Sequence, residues 1–295
     1  MTSAFRIAAA QYDIGTLGSW AAYEEKIRRW VEDAVTAGSK LLVFPEYFSM
    51  ELVSLFPGDI QQSLSRQLDA LQALLPNFEH LFREQARLHG VYIVAGTYPV
   101  RQPEGSYHNR AFLYRPDGRT DWQDKLQMTR FENEHWFITP GDEIKVFDTE
   151  LGRIGINICY DSEFPLIARQ QVEAGADLIL VPSCTDTLAG YWRVRIGCQA
   201  RALENQCYVV QSPTVGYAPW SEALDVNIGA AAVYTPVDYG FPDNGVLAIG
   251  DPNITQWVFA DIDTAAIAHI RKTGQVFNYR DWPGQFRCLS TTSSA

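Results

Sequence analysis

Three short predicted strands, each ending abruptly, constrain the fold of this chain most strongly. Residues 41–44 stop before a Pro-Glu pair, residues 153–158 stop at Cys159, and residues 178–181 stop before a proline. The runs at 41–44 and 178–181 are continuously apolar, which is typical of strands that are buried on both faces. Because helical patterns separate these runs, the sequence predicts a layered α/β architecture with a mixed sheet.

Amphipathic periodicity predicts the helices that cover the sheet. Apolar residues recur at three- and four-residue steps over 19–37, which is typical of a helix with one buried face. A second helical pattern spans about 63–89, where Pro76 implies an interruption. Two further helices are predicted over 164–174 and 191–205.

The chain carries no internal repeat, low-complexity linker or shift in composition that would divide it. We therefore expect a single domain over residues 1–295. The small polar residues at the carboxyl terminus predict a flexible tail over about residues 284–295.

Charge, hydropathy and cysteine usage exclude several classes of partner. The net charge of −11 argues against nucleic-acid binding, which needs a clustered positive surface. No apolar stretch is long enough to span a bilayer, and the start lacks a signal-peptide pattern, so no membrane partner is expected. The five cysteines include no C-x-x-C pair, and the five histidines lack metal-ligand spacing. These patterns favour a reduced, cytoplasmic setting without a disulfide framework or a metal site.

Three chemically useful residues lie at or just after the ends of predicted strands: Glu46, Lys125 and Cys159. A thiol becomes a strong nucleophile when a base takes its proton, and Glu46 suits that role if burial raises its pKa. Lys125 can stabilise the oxyanion that forms when the sulfur attacks a carbonyl carbon, with the backbone N–H of Tyr160 as a second donor. Taken singly, such residues are more often solvated or part of the core.

The segments around these residues resemble the nitrilase, or carbon–nitrogen hydrolase, superfamily. The matching segments occur in the family's order and are Phe-Pro-Glu at 44–46, Asp-Lys-Leu at 124–126, Asn-Ile-Cys-Tyr-Asp-Ser-Glu-Phe-Pro at 157–165, and Arg-Ala-Leu-Glu-Asn at 201–205. The resemblance implies a four-layer α-β-β-α sandwich of the nitrilase type. It also implies a Glu-Lys-Cys triad at Glu46, Lys125 and Cys159.

The resemblance further implies a second glutamate near the lysine. Glu134, which precedes the Pro140-Gly141 turn, is the matching position. We expect it to hold Lys125 and to help position the substrate. Glu132 is the competing candidate, although its placement relative to the turn fits less well.

Residues near the predicted strand ends and helix starts are candidates for the substrate pocket. They are Tyr47, Glu163, Cys184, Tyr191 and Trp192. Some members of the superfamily carry an arginine where Glu163 stands, and an arginine there would favour a substrate carboxylate. Glu163 therefore weakens the case for monoamides of dicarboxylic acids. Leu166 is a second departure, since many relatives carry an acidic residue there.

The sequence thus predicts an enzyme that hydrolyses a small carboxamide and releases ammonia through a cysteine thioester, with no metal or organic cofactor. N-carbamoyl hydrolysis and nitrile hydrolysis share the triad and remain alternatives. A Cys–His arrangement with His108 or His135 as base would leave Glu46 and Lys125 unexplained. The alternative of a different class is a non-catalytic binding protein on the same fold. Because relatives often assemble as dimers or larger oligomers, we expect a homo-oligomer.

Overall fold

The computed structural model describes residues 4–288. Its strands are β1 (Ala4–Asp13), β2 (Ser39–Val43), β3 (Tyr92–Arg101), β4 (Tyr107–Tyr114), β5 (Thr120–Asp124), β6 (Val146–Thr149), β7 (Gly152–Ile156), β8 (Leu178–Ser183), β9 (Tyr208–Tyr217), β10 (Val226–Asn227), β11 (Ala232–Tyr234), β12 (Val246–Ile249) and β13 (Gln256–Asp263). Its α-helices are α1 (Trp20–Thr36), α2 (Gly58–Gln61), α3 (Leu64–Leu71), α4 (Leu75–His89), α5 (Pro165–Glu173), α6 (Leu188–Asn205), α7 (Thr264–Thr273) and α8 (Asn278–Asp281).

Four shorter helical turns complete the described chain. Three are 3-10 turns, at Phe48–Leu55, Cys159–Glu163 and Trp282–Cys288, and one is a π turn at Glu132–Trp136. The last 3-10 turn shows that residues 284–288 of the predicted flexible tail have regular structure, while residues 289–295 lie outside the described part. Among residues 4–288, no helix is both long and apolar enough to cross a membrane.

The strands form two sheets that meet along one short contact. Sheet I has the order β5-β4-β3-β2-β1-β13, and sheet II has the order β6-β7-β8-β9 with β10 to β12 attached beyond it. The two sheets join where Tyr12 and Asp13 of β1 pair with Thr214 and Val215 of β9. Strands β1 to β3 run parallel in sheet I, and strands β7 to β9 run parallel in sheet II.

The alternation of side chains along β1 shows how the layers stack. Ile7 and Ala9 share a core with Ile156 of β7, in sheet II. Ala8 and Ala10 point the other way and share a second core with residues of α1 and α4. Helices α5 and α6 contact β7 and β9 and cover sheet II. The predicted four-layer α-β-β-α sandwich is therefore confirmed.

The helix predicted over 63–89 is divided into α3 and α4. Pro76 occupies the first turn of α4, where its missing N–H costs no hydrogen bond. The predicted interruption is therefore present, and it lies just before the proline.

Candidate active site

The structure brings the three predicted strand-end residues into the wall of one cavity. Glu46 follows β2, Lys125 follows β5, and Cys159 follows β7. Their exposed fractions are 1%, 1% and 4%. All three line a cavity of about 430 Å³, so the convergence expected from the sequence is present.

Lys125 is a buried ammonium group with two carboxylate partners. Its Nζ donates to Glu46 Oε1 at 2.8 Å and to the two carboxylate oxygens of Glu132 at 2.8 and 2.7 Å. A buried charge is tolerated only when it is paired and hydrogen-bonded, and this arrangement provides both. The glutamate that accompanies Glu46 at the lysine is therefore Glu132.

The prediction that Glu134 holds Lys125 is wrong. The Glu134 side chain is half-exposed and accepts a hydrogen bond of 2.8 Å from Arg130 Nε. The π turn that begins at Glu132 directs these two glutamates to different sides. A sequence signal did point to Glu132, because Thr129 and Glu132 form a reciprocal capping box. The Thr129 N–H donates to Glu132 Oε2 at 2.9 Å, and the Glu132 N–H donates to Thr129 Oγ1 at 3.3 Å.

Glu132 and Glu46 differ in their hydrogen-bond partners. Glu132 accepts hydrogen bonds at both oxygens, including one of 2.7 Å from the Tyr47 hydroxyl. Glu46 Oε1 accepts from Lys125 and from Asn109 Nδ2 at 2.9 Å, and the Glu46 carboxylate also has a hydrogen bond with the Cys159 side chain. Sequence reasoning missed Asn109, since an asparagine in the middle of a strand carries no catalytic signature.

Burial and charge set different pKa values for the three groups. Burial raises the pKa of Glu46, Lys125 opposes this shift, and Glu132 adds to it. Burial also raises the pKa of Glu132, but Lys125 and several hydrogen bonds outweigh it and hold this pKa below its ordinary value. Burial lowers the pKa of Lys125, yet Glu132 and Glu46 outweigh it and hold this pKa well above the usual range. Glu132 and Lys125 therefore stay charged, while Glu46 is suited to exchange a proton.

Cys159 adopts a strained backbone conformation at the start of its 3-10 turn. Its φ is 48°, in the left-handed region that residues with a Cβ seldom occupy. Its Sγ lies 3.7 Å from the carbonyl oxygen of Cys184. Burial, with a contribution from Glu46, raises the pKa of the Cys159 thiol well above its ordinary value. The thiol is therefore protonated near neutral pH and needs a base at the moment of reaction.

Asp161, which sequence reasoning did not single out, links the cysteine turn to the lysine segment. Its carboxylate accepts from the backbone N–H of Ile158 at 3.0 Å, of Leu126 at 3.1 Å and of Gln127 at 2.7 Å. The side chain is fully buried, and burial raises the pKa of Asp161 to about 7. One carboxylate thus fixes the loop after Lys125 against the turn that carries Cys159.

Three of the five predicted pocket residues line the cavity, namely Tyr47, Glu163 and Cys184, and so does Tyr160. Tyr191 and Trp192 are absent from the cavity lining within residues 4–288, so their prediction as pocket residues is wrong. Tyr191 is buried with its hydroxyl 3.2 Å from Arg195 Nη1, and Trp192 is 44% exposed beneath the same guanidinium. The rotation of α6 instead presents Gly190, Arg193 and Val194 to the cavity.

The two histidines considered as alternative bases have other surroundings. His108 Nδ1 lies 3.0 Å from Asp124 Oδ2. His135 is exposed and stacks on Phe131. Neither belongs to the described lining of the cavity that contains Cys159.

Comparison with known proteins places the whole sandwich in one family. The family model for carbon-nitrogen hydrolases matches residues 6–271. The chain is 36% identical over 276 residues to the probable hydrolase YhcX of Bacillus subtilis, covering 94% of this chain and 53% of that protein. The chain thus spans about half the length of that relative. It is 25% identical over 311 residues to the human omega-amidase NIT2, covering 95% of this chain and 96% of that one.

Solved structures share the fold. A carbon-nitrogen hydrolase from Helicobacter pylori G27 superimposes with a TM-score of 0.75 at 19% identity, covering 96% of this chain and 94% of that one. A double mutant of the amidase from Nesterenkonia sp. AN1, in complex with acrylamide, superimposes with a TM-score of 0.66 at 23% identity, covering 95% of this chain and 97% of that one. Together with the family match, these likenesses lead to one conclusion. The chain belongs to the carbon–nitrogen hydrolase family, an enzyme family of the nitrilase superfamily.

Proposed function

We propose that the protein hydrolyses the carbon–nitrogen bond of a small carboxamide and releases ammonia through a thioester on Cys159. One observation carries the proposal. The Cys159 thiol lines the same cavity as a buried lysine that is hydrogen-bonded to two glutamates of unlike pKa. This set supplies a nucleophile, a base, and a cation that can stabilise an oxyanion.

In the first step, Glu46 takes the thiol proton as Sγ attacks the amide carbon. The new S–C bond forms while the electron pair of the carbonyl moves onto its oxygen. Lys125 Nζ and the N–H of Tyr160 stabilise the resulting oxyanion. The raised pKa of both Glu46 and Cys159 favours proton transfer during the attack over a thiolate formed beforehand.

In the second step, the protonated Glu46 gives its proton to the amide nitrogen. The C–N bond breaks, ammonia leaves, and a thioester remains on Cys159. Glu46 then takes a proton from a water molecule, whose oxygen attacks the thioester carbon. When the S–C bond breaks, the proton returns from Glu46 to sulfur, and the carboxylic acid is released. Through both steps Glu132 stays ionised and holds Lys125 in place.

The comparisons support this reaction class. One relative is named an omega-amidase, and one solved structure, of a mutant of the Nesterenkonia amidase, records Michael addition of acrylamide at the active-site cysteine of that enzyme. N-carbamoyl compounds and nitriles remain alternative substrates because the same three residues serve them.

The test is ammonia release from a panel of amides, N-carbamoyl compounds and nitriles, beside a Cys159→Ala variant. We expect the wild type to hydrolyse amides and the variant to lose at least about 10³-fold in kcat. Mass spectrometry of the quenched wild type should show an acyl group on the Cys159 peptide. If no amide yields ammonia, the amidase proposal is wrong. Full activity in Cys159→Ala would remove the nucleophile assignment.

We also propose that the protein assembles as a homo-oligomer, and one face of α6 supports this. Leu188, Trp192, Ile196 and Leu203 are between 43% and 60% exposed, and their spacing places them along one side of the helix. Light scattering should give a mass of at least twice 33.2 kDa, and Ile196→Glu should lower that mass. A monomer mass for the wild type would contradict the proposal.

A further inference from the structure

Every cation in the described lining of the active-site cavity is already paired with a carboxylate. Lys125 contacts the two glutamates of the site. The guanidinium of Arg130 lies 2.8 Å from Glu134, and that of Arg193 lies 3.6 Å from Glu163. A substrate carboxylate that entered this cavity would therefore meet, among the described lining residues, only cations that already have a carboxylate partner.

Carboxylates, in contrast, are in excess on the cavity wall. Six carboxylates and three cations line it. Asp186, Glu222 and Asp225 are exposed at the cavity and have no salt bridge among residues 4–288. They come from two separate segments, one after β8 and one between β9 and β10, so negative charge borders the opening from more than one direction.

Glu163 places one further carboxylate close to the nucleophile. It lies in the same 3-10 turn as Cys159, and its side chain is 21% exposed. Its partner Arg193 is 62% exposed, and an ion pair of this kind contributes little to stability. A cationic group inside the cavity could therefore replace Arg193 at small cost. Burial raises the pKa of Glu163 and Arg193 opposes this shift, so a cation beside this carboxylate offsets part of the cost of its burial.

We infer that the cavity takes a carboxamide whose far end carries a cationic group, such as a primary ammonium, and that it disfavours monoamides of dicarboxylic acids. The inference rests on the proposed amide hydrolysis. The position of the site follows from Cys159 and the cavity, and the carboxylates decide only the charge that the site accepts. A cleft lined by one sign of charge concentrates ligands of the opposite sign and repels those of the same sign.

The test compares three amides of similar length: 5-aminopentanamide, hexanamide, and glutaramate. Hexanamide carries a methyl group where 5-aminopentanamide carries its ammonium. We expect kcat/KM to be highest for 5-aminopentanamide and lowest for glutaramate, with at least about a tenfold ratio between them at low salt. The ratio should shrink as salt is added, because the opening is exposed to solvent.

The outcomes separate the inference from the proposed function. If glutaramate or hexanamide is the best substrate, or if all three amides react equally, the inference is overturned while amide hydrolysis stands. If none of the three releases ammonia while another amide of the panel does, the inference is overturned and amide hydrolysis stands. If no amide of the panel releases ammonia, the proposed function fails as well.

Variants that remove single carboxylates or pairs of carboxylates test which residues cause the preference for the cationic amide. Glu163→Gln, and separately the double variant Glu222→Gln/Asp225→Asn, should lower the ratio of 5-aminopentanamide to glutaramate several-fold. The double variant Glu32→Gln/Asp33→Asn, on the exposed side of α1, removes two negative charges, as Glu222→Gln/Asp225→Asn does, but lies away from the cavity. It should keep the wild-type ratio. If the ratio fell equally in this control, the preference for the cationic amide would come from the overall charge of the protein, and the proposed role of the cavity would be overturned.

Discussion

Lys125 Nζ donates a hydrogen bond to each carboxylate oxygen of Glu132, at 2.8 and 2.7 Å, and both side chains are almost fully buried. Glu132 is thereby a fixed counter-ion rather than a group free to exchange protons. Glu46, which contacts the same Nζ through one oxygen, keeps the other oxygen for proton transfer. The two glutamates around one lysine thus have separate roles in the proposed reaction.

The first prediction follows from this division. Glu132→Gln keeps the shape of the side chain but removes its negative charge, which leaves Lys125 with a single carboxylate partner in a buried site. We expect kcat to fall by about 10²–10³-fold, since the cation would no longer be held for the oxyanion. Ammonia release under saturating amide measures the change.

Glu134→Gln is the matched control for this prediction. Glu134 lies two residues away, and its one ion pair within residues 4–288 is an exposed pair with Arg130. Its loss should change kcat by less than about twofold. A larger loss in Glu134→Gln than in Glu132→Gln would contradict the assignment.

The second prediction concerns the acidic limb of the pH profile. The proposed base must be ionised, so activity is lost as pH falls through the pKa of Glu46. Because burial raises that pKa, the loss should occur at a higher pH than the value of about 4.3 that is typical of an exposed glutamate. The dependence of kcat/KM on pH in the free enzyme reports this pKa. A profile that stays flat down to pH 4.3 would argue against Glu46 as the base.

The third prediction concerns Asp161, which ties the Lys125 loop to the Cys159 turn. Asp161→Asn replaces one acceptor oxygen by an N–H₂ group that faces backbone donors, so the two loops should shift relative to each other. We expect kcat to fall at least about tenfold with KM changed little, because the reacting groups are misaligned while the pocket wall remains.

Asp177→Asn provides the comparison for Asp161. It removes a partly buried pair with Arg271, at 2.7 Å, on a segment that does not line the cavity within the described residues. Both variants should lower the melting temperature, but only Asp161→Asn should lower kcat. If kcat falls equally in the two variants, Asp161 acts through stability alone.

Part of this site could be predicted from the sequence and part could not. Glu46 and Cys159 follow strands that the apolar residues predict, whereas Lys125 follows a strand, TDWQD, that the turn at residues 115–118 predicts. That the three residues form one triad is implied by the resemblance to the family and not by the strand pattern. Whether Glu132 or Glu134 contacts Lys125 depends on the conformation of the π turn, because two residues that are two positions apart in this turn point to different sides. The direction of Tyr191 and Trp192 depends on the rotation of α6, which its partly polar pattern leaves open. The role of Asp161 could not be predicted, because its carboxylate joins two loops that are distant in sequence. The assignment of residues 1–295 to a single domain stays a prediction.

The last prediction concerns Gly96 of β3, which supports the segment that carries Glu46. Its φ is +51°, and a Cβ at this position would collide with the carbonyl oxygen of Pro45 and lie 2.6 Å from Cδ1 of Phe48. Gly96→Ala must therefore push away the backbone next to Glu46 as well as strain its own. We expect a loss of about 2–4 kcal/mol in the free energy of unfolding, together with a fall in kcat among the molecules that stay folded.

Gly118→Ala separates backbone strain from this collision. Gly118 has a φ of +86°, in the hairpin turn between β4 and β5, and a Cβ there meets no atom within 4 Å. Gly118→Ala should lower the free energy of unfolding by only about 1–2 kcal/mol, because alanine disfavours the left-handed conformation, and should leave kcat unchanged. Chemical denaturation and ammonia release on the two variants measure both effects. Equal losses of stability and of kcat in both variants would show that the contact between β3 and the Glu46 segment does not position the base.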